Sequence, residues 1–353
     1  MVSKCIKKIL GCILLHIVIL PGIVSAETKI VDIKFKDSKL SESDSARSLD
    51  SLVKIQGKDG LCQDALYLMT HYGDREELFR KENQKAIDNP MINQTWRFCS
   101  IFSAADSDSM IMGRNWDNQN VGSIIVNLYK PAKGYSSISF SRAIDMGFPL
   151  NVNLEDIKGS PFDAKLLLAP FYTTDGVNQY GLTVATAGVK PVAVGPKAGK
   201  EQVFILFLVR KMLDQTKNIS EAVDLVEHYV PFDLDKNSLN THLYVADASG
   251  ASMILEYYPD GWKKIYNDKP WQVLTNKPIY SVPEDKLKEQ CWRFQTISES
   301  LEKLNGKAEW NAGLKILKDV SQKGTTWSVI YMPRTFELYF SIYQNWDVIY
   351  HLK

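Results

Sequence analysis

From Trp96 to the C-terminus the chain is written in short apolar runs of strand length, grouped in blocks that alternate with helix-length patterns. Runs at 99–105 and 110–116 flank the polar turn Asp106-Ser107-Asp108-Ser109, which predicts a β-hairpin. Further strand-like runs follow at 122–129, 136–143 and 182–189. Two helical patterns come next. One spans 200–215 through Val203, Leu206, Leu208, Val209 and Leu213, and the other spans 220–230, with Ser220 as its cap. Strands resume at 241–247, 252–258, 262–266 and 271–275; helices are expected over 283–304 and 310–321; 326–332, 336–343 and 347–352 again read as strands. The blocks predict an α+β body in which antiparallel sheets are covered by segregated helices.

The chain ahead of Trp96 has a different texture. Residues 27–60 are polar and read as loop, Ser38 to Asp50 most of all. Residues 61–87 are expected to be helical, with Leu61, Ala65, Leu66, Leu68, Met69 and Leu78 at helical intervals, and Asp88-Asn89-Pro90 is a stop. Residues 1–26 read as a secretory signal: Lys4, Lys7 and Lys8 precede an apolar stretch from Ile9 to Leu20, then Pro21-Gly22 and the small residues Val24-Ser25-Ala26. The apolar run is short for a membrane span, and an uncleaved anchor is the alternative. Cleavage would place the protein outside the cell or in a periplasm. It would also remove three lysines and no acid, taking the formal charge from +1 to −2. Such a balance carries no basic footprint for nucleic acid or an anionic membrane surface.

Two of the five cysteines, Cys5 and Cys12, belong to the signal; Cys62, Cys99 and Cys291 stay. An odd number of thiols in an exported chain flags one that is free and reactive. Cys99 stands at the break in texture, in Trp96-Arg97-Phe98-Cys99-Ser100. The return strand of its hairpin ends in Gly113-Arg114-Asn115-Trp116-Asp117, which would bring Arg114 and Asp117 beside it. A guanidinium next to a thiol favours the thiolate, the nucleophilic form. Spacing alone is better matched by an inert buried cysteine with a surface Arg114–Asp117 ion pair, since free cysteines are commonly core residues. None of His71, His228, His242 and His351 lies in a protease signature or at metal-ligand spacing, so no metal and no cofactor are expected. A cut before Cys99 would supply a base instead, an α-amino group with an ordinary pKa of about 7.7–8.0.

Cys99-Ser100-Ile101-Phe102-Ser103-Ala104 followed by Gly113-Arg114-Asn115-Trp116-Asp117 resembles the opening of the N-terminal-nucleophile (Ntn) cysteine amidases. These include the choloylglycine hydrolases (bile salt hydrolase, penicillin V acylase), acid ceramidase, N-acylethanolamine acid amidase and the penicillin acyltransferases. Four more segments are similar and in the same order: Asp175-Gly176-Val177-Asn178-Gln179-Tyr180-Gly181-Leu182, Leu274-Thr275-Asn276-Lys277-Pro278, Trp292-Arg293-Phe294 and Gly324-Thr325-Thr326-Trp327-Ser328-Val329. Cys-Ser in place of the family's Cys-Thr is a mild departure.

The resemblance implies a four-layer αββα sandwich of two antiparallel sheets flanked by helices. It also implies self-cleavage between Phe98 and Cys99, and hydrolysis of a linear, non-peptide amide through a Cys99 thioester. Arg114 would stabilise the thiolate and Asp117 would hold the new α-ammonium. Asn178 and Asn276 would contact the oxyanion or the α-amino group, and Arg293 would buttress Asp117 and Arg114. The expected substrate is a small N-acyl compound such as a conjugated bile salt, an N-acylethanolamine or an N-acyl amino acid.

Residues 27–98 would then be a propeptide or small helical subunit beside a catalytic domain at 99–353. On that layout Cys62 and Cys291 are expected to form a disulfide joining the two pieces. A homo-oligomer is left open. An acyltransferase using the same thioester and an unprocessed binding protein are the alternatives. Aromatic residues near turns (Phe171, Tyr172, Tyr257, Tyr258, Trp262, Trp271) suit either an acyl pocket or the core.

Overall fold

The computed structural model describes residues 28–38, 43–58, 61–88, 98–118, 122–233 and 235–353, with the side chains of 56–65 excepted. The expected signal at 1–26 lies outside the described residues.

In chain order the elements begin with β1 (Lys29–Ile33), α1 (Asp44–Asp50), β2 (Val53–Lys58), β3 (Leu61–Tyr72) and α2 (Glu76–Asp88). The hairpin β4 (Phe98–Ala105) and β5 (Met110–Asp117) leads to β6 (Ile124–Lys130), β7 (Ser137–Arg142), β8 (Asp175–Asn178) and β9 (Thr183–Ala193). Then come β10 (Glu201–Phe204), α3 (Ile205–Gln215), α4 (Ile219–Val226) and β11 (Tyr229–Phe232). They are followed by β12 (Ser238–Ala246), β13 (Ser252–Tyr258), β14 (Gly261–Tyr266) and β15 (Trp271–Leu274). The chain closes with α5 (Glu284–Gln290), α6 (Trp292–Leu304), α7 (Trp310–Asp319), β16 (Thr325–Met332), β17 (Glu337–Ile342) and β18 (Val348–Leu352).

The strands build two large sheets. One has the order β1-β18-β17-β16-β5-β4-β15, the other β14-β13-β12-β9-β8-β7-β6-β3-β2. Strand alternation sorts the core into three layers. Between the sheets lie Cys99, Ile101, Met112 and Trp116 from one side and Leu68, Val126, Phe140 and Val177 from the other. Outside the seven-stranded sheet, Phe102, Ile111 and Ile330 pack on Leu287, Phe294 and Leu317 of α5, α6 and α7. Outside the nine-stranded sheet, Tyr67, Met69 and Val184 pack with Phe79, Leu206 and Phe207 of α2 and α3. Helix, sheet, sheet, helix is the expected αββα order.

The segment before Cys99 departs from expectation. Only the second half of the expected 61–87 helix forms, as α2, while 61–72 is a strand and the leader is not all loop. Leu66, Tyr67, Leu68 and Met69 are all buried, two toward each face of a sheet, which a strand between two layers allows and an amphipathic helix does not. Within 38–50 a short helix forms, capped by Ser43, whose Oγ accepts from the Ala46 N–H at 3.3 Å. Each large sheet contains one parallel pair, β1 with β18 and β3 with β6, and both pairs use a strand from this segment.

Three smaller differences have local causes. The helix expected over 283–304 breaks at Cys291, whose extended backbone separates α5 from α6. Residues 201–204 are a strand leading into α3, and α4 is capped by Asn218 rather than Ser220.

Candidate active site

The β4–β5 hairpin places Cys99. Its turn is closed by Asp106, whose Oδ1 accepts from the N–H groups of Asp108 (2.8 Å) and Ser109 (2.7 Å). The register pairs Cys99 with Trp116, Ile101 with Arg114 and Phe98 with Asp117. Cys99 is fully buried, and its side chain points between the sheets.

Arg114 meets the thiol there. Its Nη2 donates to Cys99 Sγ at 3.6 Å and to the Thr186 carbonyl at 3.0 Å. Nη1 donates to the Thr174 carbonyl at 3.1 Å and to Asp175 Oδ1. The guanidinium carbon lies 4.6 Å from the Trp116 ring centre, and Trp116 stacks on Trp327. Asp175 is the buried counter-charge. It also accepts from Thr174 Oγ1 (2.7 Å), Tyr331 Oη (2.7 Å) and Trp327 Nε1 (3.4 Å).

The outer face of the same hairpin carries the other charges. Arg293, on α6, donates from Nη1 to the Cys99 carbonyl at 2.6 Å and to Ser100 Oγ at 2.9 Å, and from Nη2 to Asn276 Oδ1 at 2.8 Å. Its Nη1 lies 3.6 Å from Asp117 Oδ2. Asp117 accepts from Thr325 Oγ1 and from Gln322 Nε2, both at 2.6 Å. Burial pushes the Asp117 carboxyl up to about 6, against the downward pull of Thr325 and Arg293.

Asn276 follows β15 and reaches the strand end. Its Oδ1 accepts from the Cys99 N–H at 2.9 Å, and its Nδ2 donates to the Gly188 carbonyl at 2.8 Å. The Cys99 nitrogen is a peptide N–H in this continuous chain, and it is the atom that a cut after Phe98 would turn into an α-amino group.

Four of the six expected site residues therefore touch the Cys99 unit or form it: Cys99, Arg114, Asn276 and Arg293. Asp117 joins through Arg293 and sits opposite Phe98, not beside the sulfur. The expectation that Arg293 buttresses Arg114 is corrected, because the two lie on opposite faces of the seven-stranded sheet.

Asn178 is a second correction. Alternation along β8 sends Asp175 and Val177 inward and Asn178 outward, onto α3. There its Nδ2 donates to the carbonyls of Leu213 (3.0 Å) and Thr216 (2.7 Å), and its Oδ1 accepts from the Tyr180 and Leu182 N–H groups (3.0 and 3.1 Å). It shapes the turn through Gly181, which has φ +84°, and does not face Cys99. Sequence reasoning missed Asp175, three residues away in the same motif. A carboxylate in a strand flanked by apolar runs was the available signal.

The expected Cys62–Cys291 disulfide is not formed. Cys291 is a buried free thiol under α5 and α6, outside the seven-stranded sheet. The side chain of Cys62 lies outside the described residues, and its strand belongs to the other sheet.

A cleft of about 290 Å³ opens next to this cluster. It begins at Val189, after the Gly188 that holds Asn276, and includes Pro278, two residues beyond Asn276. Pro191, Val192, Leu239, Tyr257 and Tyr258 form an apolar wall, Thr241, His242 and Glu256 give it a polar side, and Lys190 adds a cation.

The family model for linear amide C–N hydrolases of the choloylglycine hydrolase family matches residues 99–318, more than half of the chain. A penicillin V acylase from Pectobacterium atrosepticum is 32% identical over 130 residues, 34% of this chain and 34% of that protein. The chain thus matches about a third of the length of this curated relative. Among solved structures, a mutant of the conjugated bile acid hydrolase from Clostridium perfringens is similar with a TM-score of 0.51 at 14% identity, over 72% of this chain and 91% of that one. Another variant of that hydrolase gives 0.50 at 12% identity, over 72% and 92%. At these identities the likeness bears on the fold alone.

Proposed function

Because the chain belongs to the choloylglycine hydrolase family of linear amide C–N hydrolases, we propose that it is a self-processing amidase whose nucleophile is the Cys99 thiol. The observation that carries this reading is the environment of one residue. Cys99 Sγ receives an N–H from Arg114, Cys99 N donates to Asn276, and the family match begins at Cys99.

In the first step the thiol attacks the Phe98 carbonyl carbon. The C–N bond breaks, the thiol proton passes to the departing nitrogen, and Phe98 becomes a thioester on Sγ. Water hydrolyses that thioester and leaves Cys99 with a free α-amino group. In turnover the amine takes the thiol proton as the sulfur attacks a substrate amide, and returns it to the leaving amine. Water then releases the acyl group. Arg114 stabilises the thiolate, Asn276 holds the α-amino group, and Arg293, balanced by Asp117, fixes both Asn276 and the Cys99 carbonyl.

The substrate class follows from the cleft. Its apolar wall suits the acyl part of an N-acyl compound, and Lys190 at the mouth suits a leaving amine that carries an anion, as in a conjugated bile salt or an N-acyl amino acid. Residues 1–26 would direct export. Residues 28–88 would stay bound after the cut, since β1, β2 and β3 are strands of the two sheets. Among the described residues no helix is long and apolar enough to cross a membrane.

Intact-mass analysis and N-terminal sequencing of the purified protein test the reading. The expected fragment starts at Cys99 and runs 255 residues to Lys353. Cys99→Ala should stay uncut and should not hydrolyse any of penicillin V, a glycine-conjugated bile salt or an N-acyl amino acid. Turnover by that variant would refute the proposal.

A further inference from the structure

The buried pair His242–Glu256, on neighbouring strands β12 and β13, belongs to the cleft lining but takes no part in the bond-making steps above. Both ring nitrogens of His242 face acceptors. Nε2 is 2.9 Å from the Thr275 carbonyl, and Nδ1 is 3.1 Å from Glu256 Oε1. A carbonyl can only accept, so Nε2 carries a proton. A neutral imidazole has a single N–H, so the Nδ1–Glu256 contact needs a second proton, on the ring or on the carboxyl. The carboxylate side is set by its other partners. Glu256 accepts the Ile279 N–H at 2.7 Å, the Tyr280 N–H at 3.1 Å and the Tyr258 hydroxyl at 3.3 Å, donors that favour the anion. Burial pushes the Glu256 carboxyl up, but His242 and the two backbone N–H groups outweigh it and hold it below its ordinary value. The arrangement is a buried His242–Glu256 pair joined by a proton between Nδ1 and Oε1.

These bonds converge on one turn. His242 holds its start at Thr275, and Glu256 holds its end at Ile279 and Tyr280. Between them stands Asn276, which takes the Cys99 N–H and the Arg293 Nη2. We propose that His242 and Glu256 are positioning residues, a two-point clamp on the 275–280 turn that sets Asn276 against the nitrogen of Cys99. The proposal rests on the reading in which that nitrogen becomes the base of the amidase.

The test uses the full-length chain carrying Glu256→Gln, His242→Gln or both. Readouts are the urea midpoint, the rate of self-cleavage at Phe98–Cys99 by mass, and kcat and KM for penicillin V. The expected result is folded protein whose self-cleavage rate and kcat each fall by about 10- to 100-fold, the effect of sub-ångström misplacement at a reacting centre. KM is free to change as well, since both residues belong to the cleft lining, so the self-cleavage rate, which needs no substrate in the cleft, separates positioning from substrate contact. The double variant should fall no further than the worse single, since either change opens the same clamp.

Undiminished self-cleavage and kcat in either folded single variant overturns the proposal, and so does a double variant whose loss is the product of the singles. Should Glu256→Gln not fold, His242→Gln, which leaves the carboxylate on its two backbone donors, carries the same comparison. If the unsubstituted protein cuts itself but leaves penicillin V intact, the substrate reading is at fault and self-cleavage judges the clamp. If it does not cut itself, the Cys99 reading fails. Deuterium exchange at the Ile279 and Tyr280 amides then decides, and retained protection in Glu256→Gln overturns the clamp.

Discussion

Replacing Asp175 with asparagine asks whether one buried charge pair locks the two sheets together. Asp175 lies on β8 of the nine-stranded sheet and Arg114 on β5 of the seven-stranded one; both side chains are wholly buried. The carboxylate accepts from Arg114, Thr174, Tyr331 and Trp327. Asparagine removes the charge and turns an acceptor into an N–H₂ that faces the Trp327 N–H or the guanidinium. Arg114 is left buried between aromatic rings without a counter-charge. Breaking a buried pair from one side costs about 3–5 kcal/mol. With an unfolding entropy of about 2.1 cal/mol/K per residue over roughly 300 folded residues, a loss of about 4 kcal/mol lowers the melting temperature by about 6 °C. Urea and thermal unfolding would be compared in a Cys99→Ala background, so that every protein is one uncut chain. Tyr331→Phe keeps the charge and removes one hydrogen bond to it, and should cost about 1.5–3 kcal/mol. The pair Asp175→Leu with Arg114→Met should recover most of the loss, because apolar replacement of a whole buried pair is often neutral. The lock is refuted if Asp175→Asn costs less than Tyr331→Phe, or if the apolar pair is the least stable of the three.

The raised carboxyl of Asp117 makes stability depend on pH. Between its ordinary value of 3.8 and about 6 the folded state binds the proton more tightly than the unfolded one, so stability falls as pH rises through this window, by about 3 kcal/mol in all. Asp117→Asn should flatten that slope in urea midpoints taken from pH 4 to 8. In the unsubstituted protein self-cleavage should decline as pH drops through about 6, where Arg293 loses its charged partner. Asn178→Ala should destabilise by about 3 kcal/mol through the carbonyls and N–H groups it leaves unpaired, yet keep kcat within about twofold of the parent, since it faces α3. After self-cleavage the two pieces should co-elute in gel filtration and separate on a non-reducing denaturing gel. A single band there would restore the Cys62 link.

The parts of the site that were legible in the sequence are those set by local geometry. A two-strand hairpin with a short polar turn fixes which residues stand opposite Cys99, so Arg114 followed from spacing. Asn276 and Arg293 lie far along the chain and came only from the order of motifs. Asn178 failed because a motif says which residues lie near a turn, whereas the face each one occupies depends on the phase of the strand. Asn178 and Asp175 stand three residues apart on β8, an odd step that puts them on opposite faces and makes one a scaffold residue and the other a partner of Arg114. The strand at 61–72 failed for the complementary reason. Its apolar run, buried on both sides, has no alternation to distinguish it from a buried helix, and its parallel pairing with β6 joins segments separated by α2 and the β4–β5 hairpin.

Strand phase also explains how so much chemistry gathers on a single residue. Along β4 the side chain of Cys99 points into the core, toward Arg114, while its carbonyl meets Arg293 from the helical layer outside the sheet. Its nitrogen stands at the strand end, where the turn carrying Asn276 arrives from β15. Sulfur, carbonyl and nitrogen are thus held by three parts of the fold, of which the last two share Arg293. The sulfur depends on the inter-sheet pair with Asp175, the carbonyl on α6 and the Asp117 network, and the nitrogen on the 275–280 turn. Damage on the sulfur side should therefore leave the other two nearly intact, so a loss from an Asp175 variant should combine close to additively in free energy with one from Asp117 or Glu256, whereas Asp117 and Glu256 variants meet at the Arg293–Asn276 bond and should couple. Strong non-additivity of Asp175 with either of the other two would show that the sheet transmits strain across the hairpin, and that Cys99 is held as one rigid unit instead.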